Sequence, residues 1–153
     1  MTDVKDDLPD HILALLGRVM DGFRRDLHTM NRGAQGKRAV LRDLRSSQLR
    51  LLSMTPVEGM RVTDLAERVG MTKQALGEFA NVLEQQGLLE TVRDPADKRV
   101  RILRPTRKGL KAVDAGEAVI AGLEREWRRR LGARKWDQLR ALLVEAAAAG
   151  PGS

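Results

Sequence analysis

The feature that most constrains this fold is a pair of short helical patterns that meet at a glycine. Apolar side chains recur at helical spacing in residues 62–70 and 71–87, and Gly70 can take the positive φ that ends a helix tightly. Residues 88–92 and 100–103 then alternate as strands do, around a turn rich in charge. This order predicts a helix-turn-helix followed by a β-hairpin, which is the arrangement of a winged helix.

Both helices of the pair carry their own start signals and an apolar face. Thr63 and Thr72 are predicted to cap them, because a threonine oxygen can accept a hydrogen bond from the backbone of the first turn. The residues predicted to pack inward are Leu65, Ala66 and Val69 in the first helix and Leu76, Phe79, Val82 and Leu83 in the second.

The outward face of the second helix is predicted to enter the major groove of duplex DNA. Its members are Thr72, Lys73, Gln74, Gly77, Glu78 and Asn81. Gln74 suits an adenine edge, Lys73 suits guanine or a phosphate, and Thr72 suits a phosphate or a thymine methyl group. Gly77 either permits close approach of the backbone to DNA or is merely tolerated. Glu78 either accepts from a cytosine amine or pairs with a nearby arginine, and we favour the pairing.

The charged turn after the helical pair is the second candidate for DNA contact. Lys98 and Arg99 are predicted near its tip, with Arg101 further along the hairpin. A cation on such a tip can enter the minor groove, where the potential is most negative. The alternative is a solvated hairpin with a local pair between Asp97 and Arg99. We favour the DNA role, because the hairpin directly follows the helical pair.

Composition limits the classes of function. Lys and Arg number 28 against 21 Asp and Glu, a formal charge of +7, which favours a polyanionic partner or a solvated basic surface. The chain has no Cys, and its two His, His11 and His28, lack ligand-spaced partners, so we expect no metal and no cofactor. No carboxylate pair, nucleophile–base set or phosphate loop indicates an enzyme. No apolar run is long enough to span a bilayer, so we expect a soluble cytoplasmic protein without membrane contact.

Amphipathic helices are predicted on both sides of the winged helix. They are either a dimer interface or a cover for this chain's own core, and we favour a homodimer because the winged helix is too small to cover them all. The fold class is therefore mostly α with a small β-hairpin wing. The predicted divisions are an N-terminal dimerisation helix at 1–34, the winged helix-turn-helix at 35–105, C-terminal dimerisation helices at 106–149 and a tail at 150–153, together one intertwined domain.

Several of these motifs together resemble the MarR family of winged-helix regulators. They are LAERVGMTKQAL at residues 65–76, LEQQGLLE at 83–90, DPADKR at 94–99 and the TRKG that opens the long helix at 106–109. The spacing of the two aspartates and the arginine in the wing is the most specific element. The resemblance implies a homodimer with interlocked terminal helices, whose two winged domains bind a pseudo-palindromic operator.

The resemblance further implies a transcriptional repressor that a small, often aromatic, ligand releases from DNA. Candidates for a ligand pocket are Phe23, Leu27, Met30 and Trp127, although we favour core packing for these side chains. The alternative function is a winged-helix dimer that acts by protein interaction or by non-specific DNA binding.

Overall fold

The computed structural model describes residues 9–33 and 41–150, which form two compact units. One, here the winged-helix unit, is Asn31–Gly122, and the other, the helical unit, comprises Met1–Met30 and Leu123–Ser153. The elements in chain order are α1 (Ile12–Arg32), α2 (Ser46–Met54), β1 (Met60–Arg61), α3 (Val62–Val69), α4 (Lys73–Gln85), β2 (Leu89–Arg93), β3 (Arg101–Pro105), α5 (Arg107–Leu131) and α6 (Ala133–Ala148). The predicted class, mostly α with a small β wing, is confirmed, whereas the domain divisions stay a prediction.

The wing is part of a three-stranded antiparallel sheet in the order β1-β3-β2. The predicted hairpin pairs β2 with β3, and Thr91 lies opposite Leu103. The third strand, β1, was not expected from the sequence and places Arg61 opposite Ile102. Its two residues lead directly into α3, so the sheet links the wing to the start of the helix-turn-helix.

The core of the winged-helix unit is built from leucines that the helices and the sheet contribute together. Leu65 of α3 and Leu76 and Leu83 of α4 are fully buried, as are Leu88 and Leu103 from the hairpin. Removing a leucine side chain from water contributes roughly 2 kcal/mol to folding. The helical pair and the wing therefore share one core, and this holds the wing in a defined position beside α4.

The start of α5 lies close to the backbone of the turn between α4 and β2. Thr106 caps α5 by accepting from the backbone N–H of Gly109 at 3.0 Å, and its own N–H donates to the carbonyl of Leu88 at 3.1 Å. A Cβ on Gly109 would collide with that carbonyl oxygen. The predicted opening of the long helix at Thr106 is confirmed, and glycine is required there because only it leaves room for the Leu88 backbone.

Two details of the helical pair differ from the sequence prediction. Thr63 does not cap α3, because that helix already begins at Val62 and Arg61 stands before it. Val82 does not pack inward: it is 37% exposed, and Ala80 is buried instead. The buried stripe of α4 thus runs through Leu76, Ala80 and Leu83, a spacing of four and then three residues.

The helical unit is organised around two tryptophans. The ring centroid of Phe23 on α1 lies 4.3 Å from the ring centroid of Trp127 on α5 and 6.3 Å from that of Trp136 on α6. Trp127 donates its indole N–H to Asp26 at 3.0 Å, and Arg130 donates to the same carboxylate at 2.9 Å. Asp26 thus links Trp127 and Arg130 by hydrogen bonds at the edge of the aromatic cluster.

Within residues 9–33 and 41–150, no helix is long and apolar enough to cross a membrane.

Candidate nucleic-acid interface

The turn between α3 and α4 has the geometry that the sequence predicted. Gly70 lies in the left-handed region at φ 69°, and the N–H of Met71 returns to the carbonyl of Ala66 at 2.9 Å. Thr72 then caps α4, because its hydroxyl oxygen accepts from the N–H of Ala75 at 3.1 Å. These bonds fix the direction in which the second helix leaves the turn and present its first residues to solvent.

The outer face of α4 carries the side chains proposed to read DNA. Thr72, Lys73, Gln74, Glu78 and Asn81 are exposed, and Gly77 is half-buried. A Cβ on Gly77 would meet no atom within 4 Å, so no packing contact in the described residues demands a glycine at this position.

Among the described residues, Glu78 does not have the arginine partner that we favoured from the sequence. Within residues 9–33 and 41–150 no ion pair involves this carboxylate. The arginine partner favoured from the sequence is therefore not found in the described part of the chain. The carboxylate projects from the exposed face one turn after Gln74.

Two aspartates hold the tip of the wing. Asp94 accepts from the N–H of Ala96 at 2.9 Å and from Arg61 at 3.1 Å, and the Ala96 bond is the larger cause that lowers its pKa, against the opposing effect of burial. Asp97 accepts from the side chain and the backbone N–H of Arg99, and these bonds lower its pKa. Both carboxylates therefore stay charged to more acidic pH than an ordinary aspartate, and the turn keeps its ion pairs.

The wing contains the local ion pair between Asp97 and Arg99 that we gave from the sequence as the alternative to DNA contact. Arg99 Nε lies 3.2 Å from Asp97, and yet the arginine side chain is 91% exposed. A guanidinium has five donors, so this pair leaves other N–H groups directed at solvent. Lys98 is also exposed at the tip, where its carbonyl accepts from Arg93 at 3.3 Å.

A groove of about 540 Å³ lies between the first turn of α4 and the wing. Its lining residues are Arg61, Val62, Thr63, Lys73, Gly77, Arg99, Val100 and Arg101. Four of them are cationic and none is acidic; Arg61 and Arg99 are paired with wing aspartates, whereas Lys73 and Arg101 have no ion pair within the described residues and leave the groove suited to anions. The structure thus brings together Lys73, Gly77, Arg99 and Arg101 from the predicted set.

Arg61 is a member of the groove that sequence reasoning missed. Its position depends on β1, a strand of two residues that pairs with β3, and on the bond between its guanidinium and Asp94. The one signal in the sequence was a cation directly before the first helix of the pair, which does not indicate that it would face the wing.

The candidate ligand-pocket residues lie in the helical unit. Phe23, Leu27, Met30 and Trp127 are all half-buried, and the Phe23 and Trp127 rings contact each other directly. A Cβ on Gly22 would touch the indole of Trp127 at 2.9 Å, so the ring packs closely on α1. Trp136, which the sequence did not place with them, is the most buried ring of the group.

The helical unit exposes nine large apolar side chains in the described part of the chain. They lie on α1, at the end of α5 and on α6: Ile12, Leu13, Leu15, Leu16, Met20, Leu131, Leu142, Leu143 and Val144. Leu13 is 74% exposed and Leu142 is 62% exposed. Large exposed apolar side chains that lie together on a surface commonly mark a site of protein association.

The helix pair, the three-stranded sheet and the wing define a winged helix-turn-helix fold with a cationic groove beside it. The MarR family model matches residues 42–100, from the region before α2 to the end of the wing turn. The resemblance to the MarR family drawn from the sequence is thereby confirmed, and the fold is that of MarR-family transcriptional regulators. A search of curated proteins found no match.

Solved structures extend the similarity over nearly the whole chain. The PcaV transcriptional regulator from Streptomyces coelicolor, in complex with its natural ligand, is 27% identical, with 97% of this chain and 99% of that chain covered and a TM-score of 0.69. The transcriptional repressor CouR bound to a 23-mer DNA duplex is 25% identical, with 89% and 92% covered and a TM-score of 0.70. A MarR mutant from E. coli complexed with operator DNA is 21% identical, with 86% and 90% covered and a TM-score of 0.68, and it shares the fold.

Proposed function

We propose that this chain is a homodimeric, sequence-specific DNA-binding repressor of transcription that a small ligand releases from its operator. The observation that carries the proposal is the groove in which Arg61, Lys73, Arg99 and Arg101 converge beside the exposed first turn of α4. Cations in this position suit the phosphates that flank the major groove, while Gln74 suits the base edges within it. The similarity to CouR, which is solved on a DNA duplex, supports the same partner.

A selection from random duplex DNA at moderate salt tests this function. We expect a pseudo-palindromic sequence to be enriched, because two copies of α4 in a symmetric dimer present the same side chains to two half-sites. Affinity for that duplex should fall steeply as salt rises, since cations that neutralise phosphates release counterions. Equal affinity for unrelated duplexes would instead support the non-specific role, and no binding to any duplex would leave protein interaction as the alternative.

The proposed dimer rests on the exposed apolar side chains of α1 and α6. A leucine that leaves water contributes roughly 2 kcal/mol, so a symmetric contact that covers these residues would stabilise a dimer strongly. In the proposed dimer this contact sets the distance between the winged-helix units of the two copies. That distance in turn sets the spacing of the two half-sites.

Replacing Leu13 and Leu142 together by aspartate is expected to convert the dimer to a monomer. A charge at each position would have to be buried without a partner in the dimer, whereas both positions are exposed in the single chain. Sedimentation equilibrium measures the mass directly. Val57→Asp is the matched control, because Val57 is 63% exposed on a loop of the winged-helix unit and should leave the mass unchanged. A wild-type protein that sediments as a monomer at micromolar concentration would contradict the dimer.

The release by ligand is proposed from the similarity to PcaV, which is solved with its natural ligand. The candidate contacts are Phe23, Leu27, Met30 and Trp127, among which the rings of Phe23 and Trp127 contact each other. Small aromatic acids titrated into the protein–DNA complex test this step. Saturable release together with a change in tryptophan fluorescence supports it, and an unchanged complex across a panel of such acids contradicts it.

A further inference from the structure

The inner face of α4 determines which side chains can reach DNA. Leu76 is fully buried and Ala80 is 4% exposed, so the helix cannot rotate about its axis without exposing its apolar stripe. Gln74 and Glu78 both lie on the opposite, exposed face, four residues apart. Residues at this spacing stand one above the other, about 6 Å apart along the helix axis. A duplex whose major groove follows this face of α4 therefore comes close to Glu78 as well as to Gln74.

The charge of Glu78 requires an explanation on this surface. The groove beside it is lined by four cations, and two of them, Arg61 and Arg99, are bound to wing aspartates rather than to Glu78. In the described part of the chain Glu78 takes part in no ion pair, so it does not stabilise the fold through one. A carboxylate that faces DNA weakens binding through repulsion from the phosphates unless it meets a hydrogen-bond donor.

Cytosine offers such a donor. Its N4 amine is directed into the major groove, and a carboxylate accepts from it, whereas guanine and thymine present acceptors at the corresponding edge. Adenine also carries an amine, but an amide side chain suits its paired donor and acceptor better. Gly77 adds no side chain beside Glu78, and the space around it is open, so the helix surface can approach the bases at this point.

We infer that Glu78 is a specificity-determining residue that selects cytosine, next to an adenine that Gln74 reads. The inference rests on the proposed function, because it names the bases that the same helix recognises. The two residues are about 6 Å apart along the helix and base pairs are stacked about 3.4 Å apart, so the two bases lie within about two base pairs of each other in each half-site.

The experiment is a selection from randomised duplexes with the wild-type protein and with Glu78→Gln, Glu78→Ala and Glu67→Gln. The wild type should prefer cytosine at one position of each half-site by roughly ten-fold over the other bases. In Glu78→Ala, the preference at that position should fall to about two-fold or less while the rest of the site is retained. In Glu78→Gln, the preferred base should change from cytosine to adenine, because an amide pairs with the adenine edge.

Glu67→Gln is the matched control, since Glu67 is an exposed carboxylate on α3 rather than on α4, and it should select the wild-type sequence. Thermal melts of the variants check that each is folded. If Glu78→Ala binds all duplexes more tightly and selects an unchanged sequence, the carboxylate only repels phosphate and the inference is wrong. A wild type that enriches a clear sequence without a cytosine at any Glu78-dependent position also overturns the inference but leaves the proposed function standing. A wild type that enriches no sequence overturns both.

Discussion

Replacing Arg99 and Arg101 together by alanine is expected to weaken binding to the selected duplex by about a hundred-fold at moderate salt. Each arginine can form a charge-assisted hydrogen bond with a phosphate and each occurs twice in a dimer, so four exposed contacts at roughly 0.7 kcal/mol each account for about 2.8 kcal/mol, which is a hundred-fold in affinity. The loss should be similar for unrelated duplexes, because phosphate contacts position the protein without reading sequence. Fluorescence anisotropy over a salt series measures both the affinity and its salt dependence.

The geometry of the groove explains why these two residues should dominate. Both line it from the wing side, and Arg99 is bound to Asp97 while its side chain is 91% exposed. An arginine that is already oriented loses less side-chain freedom when it binds a phosphate. The slope of log affinity against log salt should fall by about one for each phosphate contact removed.

Two further variants separate this effect from a general loss of charge. Arg140→Ala removes one exposed cation from α6 in the helical unit and should leave affinity within about two-fold, because net charge alone acts weakly at moderate salt. Arg99→Lys keeps the charge but not the planar fork, so its affinity should lie between that of Arg99→Ala and that of the wild type. An Arg99→Ala, Arg101→Ala protein with wild-type affinity would show that the groove is not the site of DNA contact.

Gly109→Ala is expected to lower the free energy of unfolding by about 3 kcal/mol, at the upper end of what overpacking usually costs. The new methyl group would collide with the carbonyl oxygen of Leu88, and neither backbone can move without breaking other bonds. The N–H of Thr106 donates to that carbonyl at 3.1 Å, and the cap on α5 depends on the same threonine. Chemical denaturation followed by circular dichroism measures the loss.

Gly77→Ala is the matched control for the glycine prediction. It makes the same change within a helix, but its Cβ would meet no atom within 4 Å, so the alanine should stabilise the protein by about 1 kcal/mol. Opposite signs for the two variants are the expected result. A Gly109→Ala protein as stable as the wild type would mean that α5 does not press against the Leu88 backbone in solution.

Much of the winged helix was predictable because its signals are local. Gly70 and Thr72 encode the turn and the cap within a few residues, and Thr106 encodes the start of α5 in the same way. The alternation of the hairpin likewise indicated β2 and β3, although each strand begins and ends a residue or two from its predicted limits.

The sequence predictions were wrong where a residue's structure depends on contacts with residues far away in the chain. Strand β1 has two residues, too few to show a period, and it forms only because β3 offers it hydrogen bonds. In α4 apolar side chains stand on more than one face, and packing against α3 and the sheet selected Ala80 rather than Val82 for the core. Thr63 has the chemistry of a cap, but α3 follows β1 directly and begins at Val62, two residues too early for Thr63 to serve as its cap.

By itself, the sequence determined that two helices meet at Gly70, that Thr72 caps the second and that a charged hairpin follows, because each of these depends on the backbone chemistry of neighbouring residues. Only the tertiary structure decided which cations converge. Arg61, Lys73, Arg99 and Arg101 come from a strand, a helix and a wing, and a shared leucine core holds these elements at a common groove. The packing of that core also fixes the rotation of α4, so that the outward face predicted from the sequence, with Gln74 and Glu78, is the face exposed to solvent.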